Sequence, residues 1–314
     1  MEKVLVIIPE NNKGKYITNG YSSAFERLNF FVYSKKIYDL KNEEILKISP
    51  DIIFCFWANS PANETVKEFL KETEIQKCNY IHISECNSEI PDEFKKNKNH
   101  YCFSFDENNN KYRIKPAIDS QAYKAQFNGY SHNITFVGNP SYKCREELLS
   151  KIIYNFGPIS IFCRSFDFYK SLDDINKNGL LNEYYLELYR SSYKGYLENQ
   201  KELSQIYTSS KINIDIENPN KNNINYRVLE ALVSGGFLIT QYDEETIKQF
   251  EDGKELETYK NDTELIDKIN FYLNNLNIAQ IIAFNGRKNA TSNFDIYDRL
   301  KRILKVIYDK DFGN

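Results

Sequence analysis

The sequence predicts an α/β protein made of two parallel-sheet halves, and three observations predict it. Short β-branched, apolar runs alternate with stretches of helical periodicity along almost the whole chain. Several of those runs are apolar at successive positions, as strands covered on both faces are. At 314 residues the chain is long enough for two cores, and the alternation restarts after a polar stretch near its middle.

The elements follow in order. Residues 3–9, 51–57, 79–84 and 101–105 read as strands, the first being the run Val4-Leu5-Val6-Ile7-Ile8-Pro9. Residues 22–29, 42–48, 62–72 and 91–97 carry helical periodicity between them, and Asp106–Asn110 reads as a turn. The polar stretch Ser120 to Asn133 reads as the domain linker. A second series then begins: strand 134–137, helix 143–155, strand 159–163 and a Tyr-rich segment from Phe166 to Arg190. Helix 199–208, strand 211–216, helix 225–233 and strand 237–240 come next, and helices near 262–275, 277–290 and 295–309 close the chain. The expected domains are therefore 1–120, joined by the helix of about 295–314, and 121–294.

Composition excludes several classes. Hydrophobic residues make up 41%, the mean hydropathy is −0.60, and no apolar run approaches the ~20 residues of a membrane span. At most peripheral membrane contact is expected. Met1-Glu2-Lys3 and the short run after it are too short and too acidic for a signal peptide. Forty-one basic against 44 acidic residues leave no global field for nucleic acid. The six cysteines form no C-x-x-C pair, which argues against zinc, and Cys55 and Cys163 sit inside apolar runs as core thiols. A reducing cytoplasm, or the inner face of the membrane, is the expected location.

The segment from Ile212 to Thr240 carries the chemistry. Ile212, Ile214 and Ile216 form one buried strand and Phe237-Leu238-Ile239-Thr240 another, with a polar loop, a helix and Gly235-Gly236 between them. Asn222, Asn223, Asn225 and Tyr226 lead into that helix, whose start is an anion site at the carboxyl edge of a parallel sheet. Arg227 in its first turn adds two donors for a phosphate. Glu230 follows three residues later near the same face; its charge repels phosphate and suits a ribose diol. The alternative for this pair is a plain ion pair along the helix. Arg164 ends another strand at the same kind of edge, where ligands collect in open α/β sheets, with a plain salt bridge as the alternative.

Arg227-Val228-Leu229-Glu230-Ala231-Leu232 followed by Ser234-Gly235-Gly236-Phe237-Leu238-Ile239-Thr240 resembles the donor segment of GT-B glycosyltransferases, in particular the CgeB-like branch of the glycosyl transferases group 1 family. Phe136-Val137-Gly138 with Arg145, Gly195-Tyr196-Leu197, and Phe250-Glu251-Asp252-Gly253-Lys254-Glu255 resemble further parts of it, over roughly residues 133 to 308. The resemblance implies two Rossmann-like domains facing a cleft, with the last helix crossing back to the first. It implies a nucleotide-sugar donor, a UDP-sugar on base rates, and a glycan or protein acceptor in bacterial surface polysaccharide or capsule synthesis. It also implies that Gly195 lets the backbone approach the nucleobase, read by the Tyr196 amide and carbonyl.

No cofactor and no metal are expected, because no Asp-x-Asp segment stands where a metal–nucleotide site would form. In retaining relatives a second glutamate stands eight residues before the first; here that position is Asn222, which favours inversion. Inversion needs a base from the first domain, and among Glu10, Glu85 and Asp106 the first choice is Glu85, directly after a buried strand. The aromatic residues Phe166, Phe168, Tyr169, Tyr184, Tyr185 and Tyr189 are candidates for lining the cleft, with core packing as their commoner use. A GDP-sugar transferase or an inert nucleotide- or sugar-binding protein is the alternative. A nicotinamide oxidoreductase would need G-x-G-x-x-G after the first strand, where Glu10-Asn11-Asn12-Lys13-Gly14 stands instead.

Overall fold

The computed structural model describes residues 1–9, 12–36, 39, 41–57, 78–84, 98–105, 112–216 and 224–309. These residues form two compact units, Met1–Asp119 with Phe294–Asn314, and Ser120–Asn293. Among the described residues, no helix is long and apolar enough to cross a membrane.

In the first unit β1 (Lys3–Ile8), β2 (Phe31–Lys36), β3 (Ile52–Trp57), β4 (Asn79–Ser84) and β5 (His100–Ser104) form a parallel sheet in the order β2-β1-β3-β4-β5. Val4 to Ile7 and Ile52 to Phe54 are wholly buried, as central parallel strands must be. Helix α1 (Asn12–Arg27) covers this sheet, and Tyr21 and Phe25 pack their rings on Phe54 at centroid distances of 4.6 and 5.7 Å. The sequence expectation of a helix over 22–29 is corrected here: α1 starts ten residues earlier and ends at Arg27, and after a short turn the chain enters β2. Strand β2 escaped notice because it is an edge strand whose side chains are exposed or half-exposed, with Lys35 and Lys36 at its end. Helix α2 (Asn42–Ile48) joins β2 to β3.

Helix α11 (Ile296–Tyr308) belongs to this same unit. Ile296, Leu300, Ile303 and Leu304 form its buried stripe, at the spacing of one helix face. Asp295 caps it by accepting from the Tyr297 amide at 2.8 Å; at the chain crossing the Ile118 amide donates to the Phe294 carbonyl at 2.7 Å and the Ile296 amide to the Ile118 carbonyl at 3.0 Å. Gly20 is demanded by that crossing: a Cβ there would lie 2.8 Å from Ile296 Cδ1 and 2.9 Å from Asp119 Cβ.

The second unit begins with β6 (His132–Val137) and α3 (Lys143–Phe156), then β7 (Ser160–Phe162), α4 (Ser165–Lys177), α5 (Glu183–Ser191) and β8 (Tyr193–Gly195). The chain returns to the other side of β6 through α6 (Gln200–Thr208) and β9 (Ser210–Asp215), then α7 (Tyr226–Ser234), β10 (Leu238–Gln241), the short α8 (Glu244–Ile247) and β11 (Glu257–Tyr259). Helices α9 (Asp262–Asn274) and α10 (Leu276–Asn293) complete it. Strand order is β11-β10-β9-β6-β7-β8 and every pairing is parallel, so the winding reverses between β6 and β9. The Tyr-rich segment resolves into two helices, separated where Gly179 takes φ 63° and Asn182 caps α5. Phe168 and Tyr189 are wholly buried and stacked at 5.3 Å, so these two rings belong to the core; Phe166, Tyr169 and Tyr184 are exposed.

Candidate active site

Open parallel sheets bind ligands at the carboxyl ends of the strands where the winding reverses. In the second unit that place lies between β6, which ends at Val137, and β9, which ends at Asp215. Helix α7 starts at the same edge, after the loop that follows β9. Asn225 is its cap: the side-chain oxygen accepts from the Arg227 amide at 3.2 Å, while the side-chain nitrogen donates to Asp215 Oδ2 at 3.3 Å. One amide thereby satisfies a helix-start donor and ties the helix to the strand.

Asp215 is almost wholly buried, and Arg227 Nε lies 3.0 Å from its Oδ1. Thr240 Oγ1 donates to Oδ2 from the neighbouring strand at 3.4 Å. A buried carboxylate of this kind persists only with such partners. It fixes the Arg227 guanidinium, whose side chain keeps 21% of its surface exposed. On the other side the guanidinium lies against Gly138: a Cβ there would meet Arg227 Nη1 at 2.4 Å, and the φ of 143° is itself a glycine conformation. The backbone after β6 and the arginine after β9 therefore close on the same spot.

Arg145 adds a second cation. Its Nε donates to the Ile216 carbonyl at 2.9 Å and Nη1 to the Asn139 carbonyl at 2.7 Å, so it braces the backbone beyond both central strands. Burial, and then the nearby charge of Arg227, pushes its pKa down to about 10, with Asp215 opposing. It remains a cation at neutral pH. Two guanidinium groups and one carboxylate leave this partly buried spot with a net positive charge, beside a helix N-terminus. An anion placed here lowers the repulsion between the two arginines.

Glu230 lies one turn along α7 from Arg227, and Tyr123 donates its hydroxyl to Glu230 Oε1 at 3.0 Å. Tyr123 lies in the stretch read from sequence as a polar linker, yet it is only 2% exposed. Tyr226 is buried too, so its ring packs inside the unit. Further along the same edge, Arg164 precedes α4 and its guanidinium carbon lies 5.8 Å from the ring centre of Tyr196. Both are exposed, and Gly195 ends β8 with φ 103°, a backbone conformation that favours glycine, with open space where a Cβ would lie. From β6 to β8 is two strand spacings, roughly 10 Å. Glu85, Asn222 and Asn223, with Glu10 and Asp106, lie outside the described residues. His132, half-buried, shares a hydrogen bond of 2.8 Å with Ser160 and is a structural residue.

Sequence reasoning did not find Asp215, Tyr123 or the contact of Gly138 with Arg227. An aspartate closing an otherwise β-branched buried strand was the available signal for the first. Tyr123, 107 residues before its partner, offered none.

Residues 147–305 match the family model described as Glycosyl transferase-like, half of the chain. Sequence comparison with curated proteins finds no match. The fold resembles a glycosyltransferase from Rickettsia africae ESF-5, at 13% identity and TM-score 0.69 over 98% of both chains. It also resembles a sucrose-phosphate synthase from Thermosynechococcus elongatus, at 10% identity and TM-score 0.68 over 98% of this chain and 100% of that one. HepE from Anabaena, solved in complex with UDP, aligns at 10% identity and TM-score 0.67 over 99% of this chain and 100% of its own. With the GT-B architecture and the family model in agreement, the chain belongs to the Glycosyl transferase-like family and is a glycosyltransferase.

Proposed function

We propose that this enzyme moves a sugar from a nucleoside-diphosphate donor, a UDP-sugar in preference to a GDP-sugar, onto a hydroxyl of a bacterial surface glycan precursor or of a protein. The observation that carries the donor class is the net positive spot formed by Arg145, Arg227 and Asp215 at the reversal point of the second sheet. The diphosphate lies against the start of α7 and Arg227, the ribose hydroxyls against Glu230, and the base toward Gly195 and Tyr196. HepE, of similar fold, has been solved with UDP and glucose and with UDP-glucose, which supports the choice of nucleotide.

As the glycosidic bond breaks, negative charge grows on the diphosphate. Fixed donors and a helix N-terminus stabilise that charge more in the transition state than in the ground state, so no metal is required for departure. The acceptor hydroxyl loses its proton to a base of the first unit, with Glu85 as the candidate, and the anomeric configuration inverts.

A thermal-shift series with UDP, GDP, CDP and dTDP tests the donor class. The largest rise is expected with UDP. A larger rise with GDP reassigns the nucleotide, and no rise with any of the four overturns the site. Donor hydrolysis or transfer to a panel of acceptors separates the enzyme from an inert binder. Activity abolished by EDTA and restored by manganese contradicts metal independence, and an anomeric-proton spectrum of the product decides inversion.

A further inference from the structure

Tyr123 is out of place for a residue of a polar connecting stretch. It lies in a run of Ser, Gln, Lys and Asn between residues 120 and 131, yet its side chain is 2% exposed. Its hydroxyl reaches Glu230 Oε1 at 3.0 Å, and its own carbonyl accepts from Ser204 Oγ of α6 at 2.7 Å. The ring is thus anchored by its backbone to one helix and aimed at a carboxylate on another. Glu230 is only half-buried, so apolar packing does not explain the pairing.

A glutamate on a helix surface has three rotatable bonds, and each ordered one costs conformational entropy. Two ribose hydroxyls need a carboxylate that is already oriented when they arrive. A charge-assisted hydrogen bond from a buried phenol supplies that orientation. Burial, and then the Glu230 charge, pushes the Tyr123 pKa well up, so it stays a donor throughout the working pH range. Tyr207, buried one turn after Ser204 on α6, is pushed up in pKa by burial first and then by the Glu230 charge.

We propose that Tyr123 is a positioning residue for the nucleotide: by holding the Glu230 carboxylate toward the ribose, it sets the preference for ribonucleoside over deoxyribonucleoside diphosphates. This rests on the assignment of Glu230 to the ribose made above, and it adds a residue outside the donor motif to the specificity of that site.

The test is the ratio of dissociation constants for 2′-deoxy-UDP and UDP, measured by calorimetry for the unaltered enzyme, Tyr123→Phe and Glu230→Gln. Tyr123→Phe keeps the ring and deletes the hydroxyl, so the ratio is expected to fall roughly tenfold, the effect of one hydrogen bond to a charged group. Phosphate contacts are untouched, so deoxy-UDP affinity stays near that of the unaltered enzyme. A merely structural role would weaken both nucleotides together and leave the ratio fixed. If Glu230→Gln lowers the ratio and Tyr123→Phe does not, the role of Tyr123 is overturned and the ribose assignment stands. If Glu230→Gln leaves the ratio unchanged, the ribose assignment itself fails and Tyr123 falls with it. Should Tyr123→Phe not fold, Glu230→Asp withdraws the carboxylate from the hydroxyl by one methylene, and an unchanged ratio there overturns the proposal.

Discussion

In the first sheet, β1 and β3 bury Val4, Leu5, Val6, Ile7, Ile52, Ile53, Phe54 and Phe56 completely, and rings from α1 close over them. The corresponding central pair of the second sheet, β6 and β9, buries Thr135, Ser210, Asn213 and Asp215 among its isoleucines. Most of their polar atoms have partners: Thr135 and Ser210 share a hydrogen bond of 2.7 Å, and the Asn213 side-chain nitrogen donates to the Tyr207 and Phe237 carbonyls at 2.9 and 3.0 Å. Gly236 makes the last contacts possible, since a Cβ there would lie 2.7 Å from both the Asn213 amide and the Tyr207 carbonyl. The polar series ends at the strand's carboxyl edge in Asp215, which orients Arg227. One central pair is held together by apolar burial, and the other gives up part of that burial to aim charges at an edge. Equivalent substitutions should therefore fall on stability in the first unit and on ligand binding in the second.

The largest expected effect is Phe54→Ala. Removing a wholly buried ring packed against Tyr21 and Phe25 should cost about 3–5 kcal/mol of stability, because the neighbours cannot collapse into the space. Urea unfolding measures it, and a loss near zero would mean that this core is not what holds the first unit.

Arg227→Ala comes next and should act on the other axis. If Arg227 holds the diphosphate as proposed, the variant loses a charge-assisted contact, on the order of 1.5–3 kcal/mol of binding. It also leaves Asp215 buried without that cation, so some stability is lost as well. Unchanged UDP affinity would break the contrast between the two sheets.

A third test uses acid. His82 on β4 is buried, and burial first, then the charge of His100, brings its pKa down to about 3. The unfolded chain binds the proton near pH 6.5 and the folded one does not until far lower. Stability is thus fully present above about pH 6.5 and falls as pH drops through the window from about 6.5 to 3, by at most about 1.4 kcal/mol per pH unit. His82→Leu should flatten the dependence between pH 6.5 and 5. An equally steep curve in that variant would place the acid sensitivity elsewhere.

What the sequence disclosed follows the same division. Central strands and their helices were legible because burial on both faces writes continuous apolar runs, and helix faces write a repeat near 3.6. Strands β8 (Tyr193-Lys194-Gly195) and β11 (Glu257-Thr258-Tyr259) are short and largely polar and β2 is exposed, so none writes an apolar run into the sequence. Of the candidate site, Asn225, Arg227 and Glu230 could be proposed from sequence because they are neighbours on one helix start, although the cap role of Asn225 emerged only in the fold. Gly138, Asp215 and Tyr123 were not, because their meaning lies in contacts with that helix from 89, 12 and 107 residues away, by subtraction of residue numbers from Arg227 for the first two and Glu230 for the last. Local chemistry can be read from a chain; convergence has to be seen in the fold.

The smallest effect sharpens the comparison most, because it separates a helix cap from a charge-orienting device at one residue. Asn225 does both, accepting from the Arg227 amide and donating to Asp215. Asn225→Ala should cost ~1 kcal/mol of stability through the lost cap. Serine restores the acceptor but cannot reproduce the amide's donation to Asp215, so Asn225→Ser should recover stability while nucleotide affinity stays reduced. Aspartate is as good a cap as asparagine in general. Here it would set a second carboxylate beside Asp215, and the repulsion should cancel the benefit of capping near neutral pH. Asn225→Asp is therefore expected to be less stable than Asn225→Ser at pH 7, with the gap closing toward pH 4 as one of the two carboxyl groups takes up a proton. If the aspartate variant instead matches the parent at pH 7 in stability and UDP affinity, Asn225 is a cap and nothing more.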